Sequence, residues 1–202
     1  MGNLGHSEFL GVLEGYLLWV AEWDSGKAYE ASFQKGLHLF CRKLHHCNFS
    51  IWKNEDVARR TDVENGEIAR VKRSIDQFNQ KRNDIIESID LWLLEHHFGD
   101  LAEKDLPMRT ETPGSVLDRL SILSLKIHFM GKQTEREDTD QAHIEACQIK
   151  LVMLKEQHAD LQNGLLQMIS DLEARRIRFK VYRQFKMYND PNLNPQIYMN
   201  RK

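Results

Sequence analysis

From Ile144 onward, one side of the chain is marked at intervals that alternate between three and four. Ile144, Cys147, Leu151, Leu154, His158, Leu161, Leu165, Met168, Leu172, Arg175 and Phe179 carry the pattern. Such spacing draws a single stripe along an α-helix, whereas a half-buried strand would alternate every second residue. The stripe predicts a long helix over 138–188, packed in coiled-coil fashion. His158 interrupts its seam, and Gly164 offers a place for a kink or a close approach.

Few residues elsewhere interrupt helices. The only prolines are at 107, 113, 191 and 195, so the rest of the chain is free to be helical. Ser7-Glu8 reads as the cap and first turn of a helix to about Trp23, and a second helical stretch starts near Ala28 and, with or without a break, runs to about Arg60. After the turn formers of 61–67, a helix over 67–97 ends at Gly99. The stretch "TPGSVLD" opens a further helix, 112–131, in either of two ways. Thr112 caps with Pro113 in the first turn, or Ser115 caps with Asp118 three residues on. With no alternating segment, the chain is expected to be all-α. It reads as one up-and-down bundle over 1–202: N-terminal helices (1–39), a central αα-hairpin (40–97), a buried helix (112–131), the long heptad-patterned helix (138–188) and a tail (189–202).

A formal net charge of -2 on 202 residues gives no global pull toward nucleic acid or an anionic membrane, so no nucleic-acid partner is expected. The most apolar run, 9–23, contains Glu14 and Glu22 and is too short to span a bilayer. The opening "MGNLGHSEF" lacks the basic region of a secretory signal and, with His6 in place of Ser or Thr, fails the myristoylation pattern. Cys41, Cys47 and Cys147 are odd in number and never spaced C-x-x-C, which argues against a disulfide framework or a zinc ribbon. A reducing, cytoplasmic location is the expectation.

The hairpin carries the unusual chemistry. At about 100° per residue, the 67–97 helix sorts Val71, Ile75, Phe78, Ile85 and Ile89 onto an apolar face. Beside it run Asp76, Asn79, Gln80, Asn83, Glu87 and Asp90. The preceding helix repeats the arrangement with His45, Asn48, Trp52, Glu55 or Asp56, and Arg59. Asparagine competes with its own backbone in a helix, so several at helix centre imply side-chain partners. The stripe is a buried hydrogen-bond network, a ligand or metal site, or a wet face.

As a site, its carboxylates Asp76, Glu87 and Asp90 are candidate ligands for a divalent ion, and oxygen donors suit Mg²⁺ or Mn²⁺. His45, Asp76 and Glu87 are the catalytic candidates. Asn48, Trp52, Arg59, Asn79, Asn83 and Arg119 are the ligand-binding candidates, with Arg59 or Arg119 meeting phosphate. Glu55-Asp56 and Glu87-x-x-Asp90 resemble the acidic motifs of all-α nucleotide pyrophosphohydrolases, but Arg59 stands where a further acid is expected. The basic-aromatic run "ARRIRFKVYRQFK" reads as helix-terminal cations among core aromatics, or as a phosphate grip. No nucleophile elbow, phosphate-binding glycine loop or H-E-x-x-H is present.

Four blocks, "HHCNFSIWKNEDVARR", "IARVKRSIDQFNQKRNDIIESID", "TPGSVLDRLSILSLKIHFM" and "RFKVYRQFKMYNDPNLNP", resemble the bacterial family labelled domain of unknown function 4254. The resemblance implies a setting in lipopolysaccharide and other cell-surface glycan synthesis. It thereby implies a sugar phosphate, a nucleotide sugar or a glycosyltransferase as partner. His45, Asn48, Trp52, Glu55, Asp56, Arg59, Asp76, Asn79, Arg82, Asn83, Asp90, Asp118 and Arg119 fall in the matching blocks. A rival expectation is a non-catalytic interaction module, in which the heptad helix pairs with a second copy or with a glycosyltransferase.

Overall fold

The first helix, α1 (His6–Asp24), buries Phe9, Val12, Leu13, Tyr16, Trp19, Val20 and Trp23 along one side. Each such side chain contributes roughly 1.5–3 kcal/mol on burial. The computed structural model describes residues 6–30, 35–99, 101, 105–183 and 192–193. Within them α1 is followed by α2 (Gly36–Ala58), α3 (Asn65–Leu93), α4 (Pro113–Thr134) and α5 (Gln141–Glu173), an all-α bundle. The expected tail, 189–202, lies almost wholly outside the described residues.

α2 starts later than the expected Ala28. Gly36 takes φ +60, and a Cβ there would stand 3.0 Å from the Trp92 ring, so the entry to α2 needs a residue without a side chain. A short connection returns the chain along α2 as α3. His46 meets Phe78 and Phe40 meets Trp92, at ring separations of 6.3 and 6.5 Å. These are the pairings of an antiparallel αα-hairpin. Beyond Leu93 the helix widens into a π-helical turn, Leu94–Phe98, and stops at Gly99, whose φ is 65.

At α4 the Thr112 cap is the one that forms, and Ser115, three residues on, closes its capping box and does not cap a later start. The Thr112 side chain accepts from Ser115 N–H, and Ser115 Oγ accepts from Thr112 N–H, with Pro113 in the first turn. The start of α4 is pressed against α3, where Gly114 N–H donates to Asp90 Oδ1 at 2.7 Å. A Cβ on Gly114 would lie 2.7 Å from the Ile86 carbonyl. Only glycine permits that approach.

α5 is capped by Asp140, whose Oδ1 accepts from His143 N–H at 2.7 Å. Its heptad seam is spent inside the molecule. The seam packs on α4, with Leu165 and Leu172 buried and His158 Nε2 lying 3.3 Å from Ser124 Oγ. The helix also ends at Glu173 instead of continuing to 188. Arg175 adopts φ 54, and Arg176 N–H returns to the Asp171 carbonyl at 2.8 Å, a helix-terminating turn. Arg178–Phe179 then forms β2 and pairs in parallel with β1, Met108–Arg109. Phe179 is thereby buried edge-on against Phe98, 6.3 Å away. Residues 184–188 lie outside the described residues.

A buried polar relay and the cleft above it

α4 is apolar on most sides, and the polar residues at its centre, Asp118, Ser121 and Ser124, are all buried. Their spacing of three puts them on one face, so they need partners from a neighbouring helix. α2 supplies them. Asn48 Nδ2 donates to Asp118 Oδ1 and to Ser121 Oγ, each at 2.9 Å. His45 Nδ1 lies 2.8 Å from the same Ser121 oxygen.

His45 is completely buried and stacks on Tyr16 at 4.7 Å. Burial pushes its pKa down to about 3; the Tyr16 main-chain carbonyl opposes that shift only in part. The ring is therefore neutral at physiological pH. We assign the Ser121 hydroxyl as donor to Nδ1, which leaves the proton on Nε2. Burial raises the Asp118 carboxyl above its usual range, against the Asn48 hydrogen bond and the Arg82 charge. Arg82 Nε stands 3.8 Å from Asp118 Oδ1 and is buried without a hydrogen-bond partner.

Above this relay, between α2, α3 and α4, opens a cleft of about 280 Å³. Asn48 and Arg82 connect it to the relay, and Trp52, Glu55, Asp56, Arg59 and Ile122 line it. Arg59 is steadied by the Glu55 carboxylate at 3.1 Å. Trp52 lies flat on Phe129, with ring centroids 4.9 Å apart and planes within 7°. A cleft with acidic acceptors, two guanidinium groups and an indole can hold hydroxyls, an anion and the apolar face of a ring.

The expected candidates divide. Asn48, Trp52 and Arg59 come together in the cleft, and His45 lies in the relay beneath, sealed from solvent. Asp76 is exposed and ion-paired with Lys72 at 2.8 Å. Asn79 and Asn83 are half-buried on α3. Glu87 lies 3.6 Å from Arg183, and Arg119 is exposed and paired with Glu111. Asp90 is 2 % exposed and engaged with the start of α4; burial pushes its pKa up to about 6.

Asp76, Glu87 and Asp90 are thus not brought together in one chain. Asp76 and Asp90 are about 21 Å apart along one helix axis. Among the described residues no group of three or more His, Cys, Asp or Glu is placed to hold a metal ion. Nor does the hairpin pair its two stripes with each other, because Asn48 and His45 turn to α4. Ser121 and Phe129, absent from the expected set, are what they turn to or stack beside. The i, i+3 polar spacing from Asp118 was the signal for Ser121.

A family model described as "Protein of unknown function (DUF4254)" matches residues 38–181, well over half of the chain. The relay and cleft residues of α2, α3 and α4 all fall within that match. No curated protein and no solved structure matches the chain.

Proposed function

We propose that this chain, which belongs to the DUF4254 family, binds a phosphorylated sugar in the cleft between α2, α3 and α4. One observation carries the reading. Arg82 brings a guanidinium to the cleft with its Nε buried, ion-paired with Asp118 at 3.8 Å but without a hydrogen bond, and a buried donor short of a hydrogen bond invites an acceptor. Guanidinium and phosphate match as a two-pronged charge-assisted pair. In this reading Arg82 and Arg59 meet the phosphate. Asn48, Glu55 and Asp56 take hydroxyls, and Trp52 underlies the ring. The cleft volume of about 280 Å³ suits a sugar phosphate better than a whole nucleotide sugar. Asn79, Asn83 and Arg119 are left outside the site. Cell-surface glycan synthesis is the proposed setting, with phosphorylated sugars as its intermediates and the cytoplasm as its compartment. Among the described residues, no helix is long and apolar enough to cross a membrane.

A thermal-shift panel of sugar phosphates and nucleotide sugars, each with and without Mg²⁺ or Mn²⁺, tests this. A ligand at 100 times its dissociation constant adds about 2.7 kcal/mol to the folded state. A shift with sugar phosphates supports the reading, and dependence on the ion would show that a metal enters with the phosphate. No shift with any sugar phosphate contradicts it.

A second reading, a non-catalytic module that pairs with a second copy or a glycosyltransferase, draws on the outward side of α5. There Ile149, Val152 and Met153 are 65, 65 and 54 % exposed. Concentration-dependent association lost in Ile149→Glu would favour it.

A further inference from the structure

The polar cleft does not stand alone. Trp52, which walls it, also walls an apolar groove of about 510 Å³ between α4 and α5. Phe129, Met130, Met153 and Leu154 form much of that groove. Ile122 extends the apolar lining on the other side, being shared by the cleft and a third hollow that meets the groove at Lys126 and Gln157. A ligand crossing Trp52 would thus pass from two guanidinium groups and two carboxylates onto aromatic and thioether surface.

The charges along the groove have one sign. Lys126 and Lys150 line it, both exposed. Neither is ion-paired with another described residue, and no carboxylate lines the groove. Methionine side chains conform to flexible apolar partners. A flat Trp52–Phe129 pair gives a rigid platform.

We propose that the cleft and groove together bind a phosphate ester bearing a long hydrocarbon chain, with the phosphate at Arg82 and the chain laid across Trp52 toward Met153. This rests on the reading of the cleft as a phosphate site and specifies what the phosphate is attached to. Lys126 and Lys150 flank the passage of such an anionic amphiphile.

The test is calorimetric titration of the full chain with butyl, octyl and dodecyl phosphate below their micelle-forming concentrations. Inorganic phosphate and glucose 1-phosphate run beside them. Affinity should rise about two- to four-fold per added methylene, up to a plateau, because that is the yield of burying one methylene partly to fully. Met153→Glu, at a residue 54 % exposed, should flatten the chain-length series and leave glucose 1-phosphate unaffected. Arg82→Gln should weaken every phosphate.

Alkyl phosphates that bind no tighter than inorganic phosphate would overturn the inference. So would a chain-length gain that survives Met153→Glu. If glucose 1-phosphate binds without any chain-length effect, the cleft stands and the groove assignment falls. If the alkyl series behaves as expected while glucose 1-phosphate fails to bind, the sugar reading falls alone. Sedimentation of the same samples reports the competing occupant. A dimer that Met153→Glu dissociates and dodecyl phosphate does not would assign the groove to a second copy instead.

Discussion

Asn48 does two jobs with one amide, since its Nδ2 serves both Asp118 and Ser121. Asn48→Ala should strand two buried acceptors and cost about 1–3 kcal/mol of stability, measured as a lowered denaturation midpoint. The pH dependence of stability is also set by single residues. Asp90 has its folded pKa raised to about 6 from an ordinary value near 3.8. Its folded form therefore holds a proton that the unfolded form has released, so its contribution weakens as pH rises from about 4 through 6. Asp24 runs the other way. Its pKa is lowered to about 2: burial works against the shift, and hydrogen bonds from Lys132 and His128 outweigh it. Its stabilisation is present above about 4 and is lost as pH falls toward 2. Asp90→Asn should keep an oxygen acceptor for Gly114 while removing the first slope. The melting temperature of the variant relative to the parent should then rise between pH 4 and pH 7. An unchanged difference across that range would mean that the Asp90 proton is not linked to folding.

Among elements, the start of α4 is the most constrained junction. Thr112 and Ser115 close a reciprocal cap, and Gly114 lets α4 settle against the α3 backbone. Gly114→Ala should cost about 1–3 kcal/mol by forcing the two helices apart; a loss no larger than that of Thr112→Ala, about 1 kcal/mol, would mean the junction has slack. The sequence made much of this visible. The hairpin of α2 and α3, the Thr112-Pro113 opening and the α5 stripe are local patterns, readable from spacing and caps. Two things were not local. α5 ends at Glu173 in a turn with Arg175 at positive φ, after which Phe179 meets Phe98 across the fold, and nothing in the heptad spacing signals that contact. The partner of the α2 polar stripe is likewise set across the fold and is not the adjacent α3. It is α4, because an otherwise apolar helix brought Asp118 and Ser121 into the interior. Asp76 and Asp90 shared a helical face in projection, but a projection hides the axial distance between them.

Across the whole molecule, the bundle sorts polar residues by depth. His45 and Ser121 are sealed and neutral at the bottom, Asn48, Asp118 and Arg82 form the transition, and Arg59, Glu55 and Asp56 line the opening. Such layering separates two kinds of mutational effect. Changes at the bottom should lower stability, and changes at the opening should alter binding. The central claim is that Arg82 is where an anionic ligand is held. Calorimetric titration of glucose 1-phosphate into the parent chain and into Arg82→Gln, with both shown folded by circular dichroism, tests it most directly. The account predicts measurable binding by the parent and a loss of at least about ten-fold in the variant, as expected for removing a charge-assisted pair. Equal affinity in the two folded proteins would contradict it.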